Sequence, residues 1–441
     1  RGLTLVCRQM PTQPEPSRAL GYRFALTQPG VVAFTAAGAL ARLPVAMVAL
    51  ALVLLVSETT GSYAFAGALS AAFAVTAALA SILTSRWADR SGQTQVLRIL
   101  AVVHSALLVA VTYLIVQGAP AAVQLVVVVA AGASSPAIGS FVRARWTHAA
   151  HRGQQPALLR VGFAWESILD ELIFTLGPLI TTALAFGVGF PVPLTVAAAA
   201  VLIGALGLSM CTRSTPTPAP ASHAPSSILA VVRTPGLWVL IVSALGLGTL
   251  FGALDVGAVA FTGARGSGSM AGVLLACFAA ASMVGGIVYG IRAWPGRLHR
   301  HTQSAAALLA LICAGFWFTD TNTGAIVVAT AAGALVAPTL IGIFSLTQRL
   351  VSPANLTEGL TWTNSGLAAG FAFGSALSGI LIDAFGSRAG LALCFAGAVI
   401  SAGALVAGDR SIRRHDDTTA RARVVPPAPP SDSLTHRSMK E

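Results

Sequence analysis

Twelve stretches of this chain are apolar and long enough to cross a bilayer, which takes about 20 residues as an α-helix. They cover roughly 31–56, 62–84, 97–116, 121–142, 161–186, 191–211, 237–261, 270–292, 303–319, 323–347, 359–384 and 387–407. A water-free bilayer core offers backbone groups no outside partner, so each stretch must form its hydrogen bonds within a helix. Let the runs cross in alternation from an inside start. Arg265 and Arg388 then fall on outside segments and Arg42 within the first run, while every other Lys and Arg falls on an inside segment. Basic residues beside helix ends resist translocation. The distribution predicts an all-α polytopic membrane protein with both termini in the cytoplasm. Core helices of a soluble protein would have no reason to sort their arginines this way.

Composition excludes the competing class. The net charge of +12 suggests a nucleic-acid partner, yet only 10% of residues are charged and the mean hydropathy is +0.78. An ordinary soluble domain is about 25% charged. The basic residues are spread over short inside connections and a tail, a pattern set by the membrane and not by nucleic acid. Cys7, Cys211, Cys277, Cys313 and Cys394 show neither metal-ligand spacing nor a disulfide framework. No metal or cofactor is expected. There is no Gly-x-x-x-x-Gly-Lys-Ser/Thr loop for ATP, and Lys440 is the single lysine. No cleavable signal peptide is expected within residues 1–30, and the charged, Pro-rich tail 409–441 is expected to be disordered.

The sequence repeats itself at a shift of about 200 residues. Ala66-Gly67 before the second run meets Ala271-Gly272 before the eighth. Gly139-x-Phe141 meets Gly342-x-Phe344, each a few residues after a proline. At one common shift Trp165, Phe174, Gly177 and Gly189 meet Trp362, Phe371, Gly374 and Gly386. The predicted organisation is a cytoplasmic segment 1–30, a six-helix bundle 31–211, a cytoplasmic linker 212–235, a second bundle 236–408 and the tail. Two six-helix halves are the layout of carriers that rock about a midplane site. Without a hydrophobic force between helices in lipid, close packing depends on small residues. Gly366, Gly370, Gly374 and Ser378 form one smooth stripe, and Gly286-x-x-x-Gly290 ends the eighth run. Such a stripe serves either tight packing within one half or a surface between halves. Gly366, Gly370, Gly374, Gly286 and Gly290 are the candidates for half-to-half packing.

The inside turn after the second run reads Ser85-Arg86-Trp87-Ala88-Asp89-Arg90-Ser91-Gly92-Gln93-Thr94. It resembles the signature loop of the major facilitator superfamily, Gly-x-x-x-Asp-Arg-x-Gly-Arg-Arg/Lys, through Asp89, Arg90 and Gly92. Ser85, Gln93 and Thr94 depart from that pattern. The resemblance spans the twelve runs. It implies twelve helices in two pseudo-symmetric bundles, alternating access, and a clasp in which Asp89 faces the positive N-terminus of the eleventh helix near Glu358 and Gly359. The drug/proton antiporters of that superfamily are matched less well. The fourth run has no basic residue in its interior, and Gly177-Pro178 is preceded by Ile173 and followed by Thr181-Thr182.

Charges within the runs must face protein or water, since one at mid-bilayer costs roughly 2.5–3.5 kcal/mol. Glu166 and Asp170 share a face of the fifth run, and Glu171 points elsewhere. Arg42 lies about 16 Å past Val31 and Asp170 about 15 Å past Arg160, at ~1.5 Å per residue, so their depths match. Arg42 is therefore expected to pair with Asp170 or Glu166, as a static brace or as a carboxylate that gains a proton. Arg42, Glu166, Asp170 and Glu171 are the proton-coupling candidates. Asp255 and Asn364 are the candidates for lining the substrate cavity.

These features predict a monomeric secondary active transporter of the bacterial inner membrane. Its partners would be the lipid bilayer, protons and a small-molecule substrate, with export of an amphipathic compound as the first expectation and a sugar or other polar metabolite as the alternative. An intramembrane enzyme would need a catalytic cluster such as His-Glu-x-x-His or Gly-x-Ser-x-Gly, and neither occurs.

Overall fold

The computed structural model describes residues 22–152, 156–216, 236–292, 297–351 and 356–412. The first 21 residues, the expected linker beyond 216 and the tail beyond 412 lie outside them. Among the described residues twelve helices are long and apolar enough to cross a membrane, and none of the secondary structure is strand. They are α1 (Val31–Thr60), α2 (Tyr63–Ser91), α3 (Gln93–Val116), α4 in two pieces, α4a (Ala121–Ala133) and α4b (Ile138–Arg152), α5 (Pro156–Gly187) and α6 (Val192–Met210). After the linker come α7 (Leu237–Gly263), α8 (Met270–Ile291), α9 (Leu298–Cys313, continued by a 3-10 turn to Phe318), α10 (Asn322–Leu350), α11 (Leu356–Phe385) and α12 (Ser387–Ala407). Large apolar side chains such as Leu83, Val126 and Ile291 stay exposed on the surface, as lipid-facing residues do.

Several helices outrun their apolar stretches. α2 continues to Ser91, so Asp89 and Arg90 sit on its last turn and not in an open loop. Gly92 then reverses the chain at φ 86°, a conformation that favours glycine, and α3 begins at the next residue. α4 was expected as one run to 142. Instead it breaks around Pro136 and restarts at Ile138, since proline supplies no N–H and disfavours helical geometry in the residue before it.

The helices pack as two six-helix bundles, α1–α6 and α7–α12. α7 is apolar on every side and sits deepest, against α11 and α12. Glycines bring the backbones together. A Cβ on Gly248 or Gly252 would meet Leu367 O or Phe371 O of α11 at 2.0 and 2.1 Å. From the other side, Gly366, Gly370 and Gly374 abut Ile241 O, Leu245 O and Thr249 O. The α11 stripe therefore packs inside the second bundle, and its expected half-to-half role is corrected. Two smooth faces of one bundle come closer together than either could come to a helix bearing larger side chains. Gly286 likewise faces Ala337 of α10 within the same bundle, and a Cβ on Gly290 would meet nothing within 4 Å.

The bundles meet through α2 with α11 and α5 with α8, at the end away from the arginine-rich connections, called the outer end below. Gly67 faces Ser375 O, and Gly379 faces Tyr63 O. Gly272 faces Pro178 O and Thr182, and Gly268 faces the Phe186 ring. Gly67 and Gly272 are the equivalent glycines of the repeat, so one close contact is made twice.

Replacing Gly370 with Leu should lower the yield of folded protein, because overpacking costs about 1–3 kcal/mol or more where backbone blocks relief. Size-exclusion profiles and thermal unfolding in detergent will show the loss. Wild-type stability would contradict the packing.

Candidate functional site

The deepest charges form one connected group on α1, α4b and α5. Residues four apart on a helix share a face, so Glu166 and Asp170 stack one turn apart on α5. Arg42 of α1 bridges them, its planar fork suited to two carboxylates at once. One Arg42 terminal nitrogen donates to Asp170 Oδ1 at 2.6 Å, and the other forms a short hydrogen bond with Glu166 Oε2. Its Nε donates to Gly38 O at 3.2 Å. Two neighbours on α4b complete the set. The Trp146 indole N–H donates to Glu166 Oε1 at 2.8 Å, and Arg143 donates to Asp170 Oδ2 at 2.8 Å.

Small residues make these contacts reachable. Gly177 lets α5 approach Ala46 of α1, and Gly162 leaves room for the Trp146 ring, which a Cβ would meet at 2.3 Å. Phe34 packs edge-on against the same indole at 5.4 Å.

The two carboxylates differ in their surroundings. Glu166 is 0% exposed and has both oxygens occupied by Arg42 and Trp146. The Asp170 side chain keeps 29% of its surface, and its second partner Arg143 keeps 43%. Two arginines against two carboxylates leave the group neutral overall. The Asp170 carboxylate is accessible from outside the protein, and that of Glu166 is not.

The expected pairing of Arg42 with Asp170 or Glu166 thus resolves into contact with both. Arg143 and Trp146 were not anticipated, because they lie beyond the apolar edge of the fourth run. Glu171 stands apart from the group, on the α5 face that carries Pro178 and Thr182 toward α8. Glu171 and Asp255 form no side-chain hydrogen bond or ion pair among the described residues. Asp255 lies partly exposed on α7 between buried neighbours. Arg265, its one conceivable basic partner, instead donates to Phe261 O and Asp320 O at 2.8 Å each. Asn364 is exposed on α11, away from the Arg42 group, while its neighbour Thr363 is buried against Thr347 of α10. Asp89 and Arg90 are exposed at the inner end, and their side chains make no hydrogen bond or ion pair among the described residues.

Arg145, one helical step from the site, has a different task. It is fully buried, donating to Gln93 Oε1 at 3.2 Å, Cys211 O at 2.8 Å and Ser214 Oγ at 2.9 Å. It ties the inner ends of α3, α4b and α6 together. His104 is similarly absorbed into packing, bonded to Ala131 O at 2.8 Å.

No protein-family model matches the chain, and no curated protein matches it. Solved structures do. A mutant form of the nucleoside transporter NupG superposes with a TM-score of 0.73 at 13% identity, covering 86% of this chain and 99% of that one. NupG itself gives 0.69 at 11% identity, over 87% and 99%. A bacterial homologue of the human lysosomal transporter Spinster, in an inward-facing and occupied conformation, gives 0.60 at 17% identity, over 89% and 96%. At these identities the likeness is one of fold. The chain is a multi-pass membrane protein with the fold of major facilitator superfamily transporters.

Arg42→Met should destabilise the first bundle by about 3–5 kcal/mol, the cost of stranding a buried charge. Adding Glu166→Gln should recover part of that loss. Thermal unfolding of the two variants in detergent tests this, and equal stability of wild type and Arg42→Met would contradict it.

Proposed function

We propose that this protein is a secondary active transporter that works by alternating access and exports a small amphipathic compound in exchange for protons. The observation that carries the reading is Arg42 held between a sealed carboxylate and a partly exposed one. In this reading Glu166 is the fixed anchor, keeping Arg42 and Trp146 in place. Asp170 is the coupling group. A proton arriving at Asp170 neutralises it and releases Arg143, and its departure restores both ion pairs. Each proton therefore exchanges one arrangement of α1, α4b and α5 for another.

The bundles touch at the outer end, so the arrangement corresponds to the inward-facing half of a cycle. Asp89 is the proposed inner clasp, engaging the start of α11 when the inner ends close. The likeness to an inward-facing Spinster homologue supports this assignment of the state.

Glu171 on the first bundle and Asp255 on the second are carboxylates with no side-chain hydrogen bond or ion pair among the described residues. Intramembrane ionisable residues face protein or a water-filled cavity and mark substrate or ion pathways. The pair therefore favours a compound carrying a positive charge. A second reading, a carrier of an uncharged polar metabolite, draws support from NupG's being a nucleoside transporter and from exposed Asn364. The cytoplasmic membrane, with both termini inside, is the proposed location.

Purified protein in liposomes with an imposed pH gradient separates the readings by which solute moves. Asp170→Asn should abolish the acceleration of transport by the gradient while leaving exchange of solute for solute, and full proton dependence in that variant would reject Asp170 as the coupling site. Asp255→Asn should raise KM for a cationic solute about 10–100-fold, the worth of one charge-assisted contact, with KM for neutral solutes unchanged. An unaltered KM for cations would remove Asp255 from the cavity.

A further inference from the structure

The outer end holds a second polar junction, separate from the Arg42 group. α2 begins at Tyr63 after Ser62, and a helix N-terminus leaves its first backbone N–H groups without partners inside the helix. Ser62 supplies part of the cap. Its hydroxyl accepts from Phe65 N at 3.1 Å, and its carbonyl accepts from Ala66 N at 3.2 Å. The remaining donors are met from the other bundle. Asp383, near the end of α11, accepts from Tyr63 N at 3.0 Å, from Ala64 N at 2.9 Å and from the Ser62 hydroxyl at 2.8 Å. A carboxylate at this position also faces the positive end of the α2 dipole.

The same place in the other seam is built differently. At the shift that aligns α5 with α11, Asp383 corresponds to Phe186. Phe186 meets the chain just before α8, at Gly268, where α11 meets the start of α2. One outer seam is thus closed by an apolar ring and the other by a charge with three hydrogen bonds. Separating the first exposes a phenyl ring. Separating the second breaks bonds whose partners must find water.

We propose that Asp383 is the clasp of the outer gate, holding the start of α2 against the end of α11 so that the outward-closed form is favoured. The three contacts cross between bundles, so they exist while the outer end is closed and are lost when α2 and α11 part. Asp383 sits beside the closest backbone approaches of this seam, Gly67 to Ser375 O and Gly379 to Tyr63 O. Ser375 Oγ also donates to Gly67 O at 3.3 Å. The clasp is the charged edge of a contact that is otherwise backbone on backbone. It goes beyond the transport reading and involves neither the solute nor the coupling ion.

Hydrogen–deuterium exchange of the full chain in lipid nanodiscs, without substrate, tests it. Asp383→Ala should raise exchange at the start of α2, and also at the α5/α8 seam around Pro178–Thr182 and Gly268–Gly272, which Asp383 does not touch. The outward-open population should grow about 10–100-fold, the loss expected for a charge-assisted hydrogen bond. Faster exchange confined to Tyr63–Ala66 would make Asp383 an ordinary helix cap and overturn the proposal. Unchanged exchange would overturn it too. If Asp383→Ala does not fold, Asp383→Asn keeps the shape, removes the charge and decides in the same way, with a smaller rise expected at both seams. Transport assays of the wild-type protein test the alternating-access reading separately.

Discussion

Backbone lying directly on backbone is the interaction on which this structure depends. In lipid, a leucine gains nothing by leaving the hydrocarbon for a neighbouring helix, so association rests on van der Waals contact and scattered polar bonds. Glycine supplies that contact at each main junction. Within the second bundle, Gly248 and Gly252 of α7 interleave with Gly366, Gly370 and Gly374 of α11, and Gly246 meets Gly397 O of α12. Between bundles, Gly67 and Gly272 each bring a helix against a carbonyl of the other half. The two kinds of junction differ in extent. The α7/α11 seam runs from Ile241 to Ser378 and permits little sliding. The bundle-to-bundle seams are confined to the outer end, leaving the rest of the interface free to part.

The charges sit on that scaffold in a graded order. Trp146 and Glu166 are sealed, Arg42 is nearly so, and Asp170 and Arg143 are partly exposed. A buried ion pair contributes little net stability against a well-packed apolar substitute, yet losing one partner is costly. The group is therefore better explained by what it does than by how much it stabilises. A brace alone would be satisfied by Arg42 and Glu166. Asp170 and Arg143, both partly exposed, extend the group beyond what a brace needs.

The number of helices and the pairing of Arg42 were legible in the sequence, because both follow from depth. A bilayer sets helix length, and residues counted from the same side reach the same level. What hydropathy marks, however, is the bilayer and not the helix. α2 runs on to Ser91 and α4b to Arg152, so Arg143 and Trp146 were cut off at an apolar edge that has no meaning for helix geometry. The glycine stripe of α11 shows the opposite difficulty. A spacing of four establishes a smooth face, but its partner is settled by which other helix is equally smooth. α7 was, and its glycines at 246, 248 and 252 were there to be compared. Gly67 and Gly272 were visible as matching points of the repeat. That they meet carbonyls of the opposite half could not be read without the fold, since repeat symmetry relates the bundles without saying where they touch.

That symmetry holds for the backbone and fails for the charges. At the shift relating α5 to α11, Glu166 corresponds to Thr363 and Asp170 to Leu367. Where the first bundle has a carboxylate held by an indole, the second has a hydroxyl pair, Thr363 with Thr347 at 3.1 Å. At the outer end the order reverses, with Asp383 in the second bundle where the first has Phe186. A duplicated fold gives both halves the same hinges and the same close contacts. One charged group lies inside the first bundle and one at the rim of the second, so the two halves share a backbone plan but differ in where their charges lie.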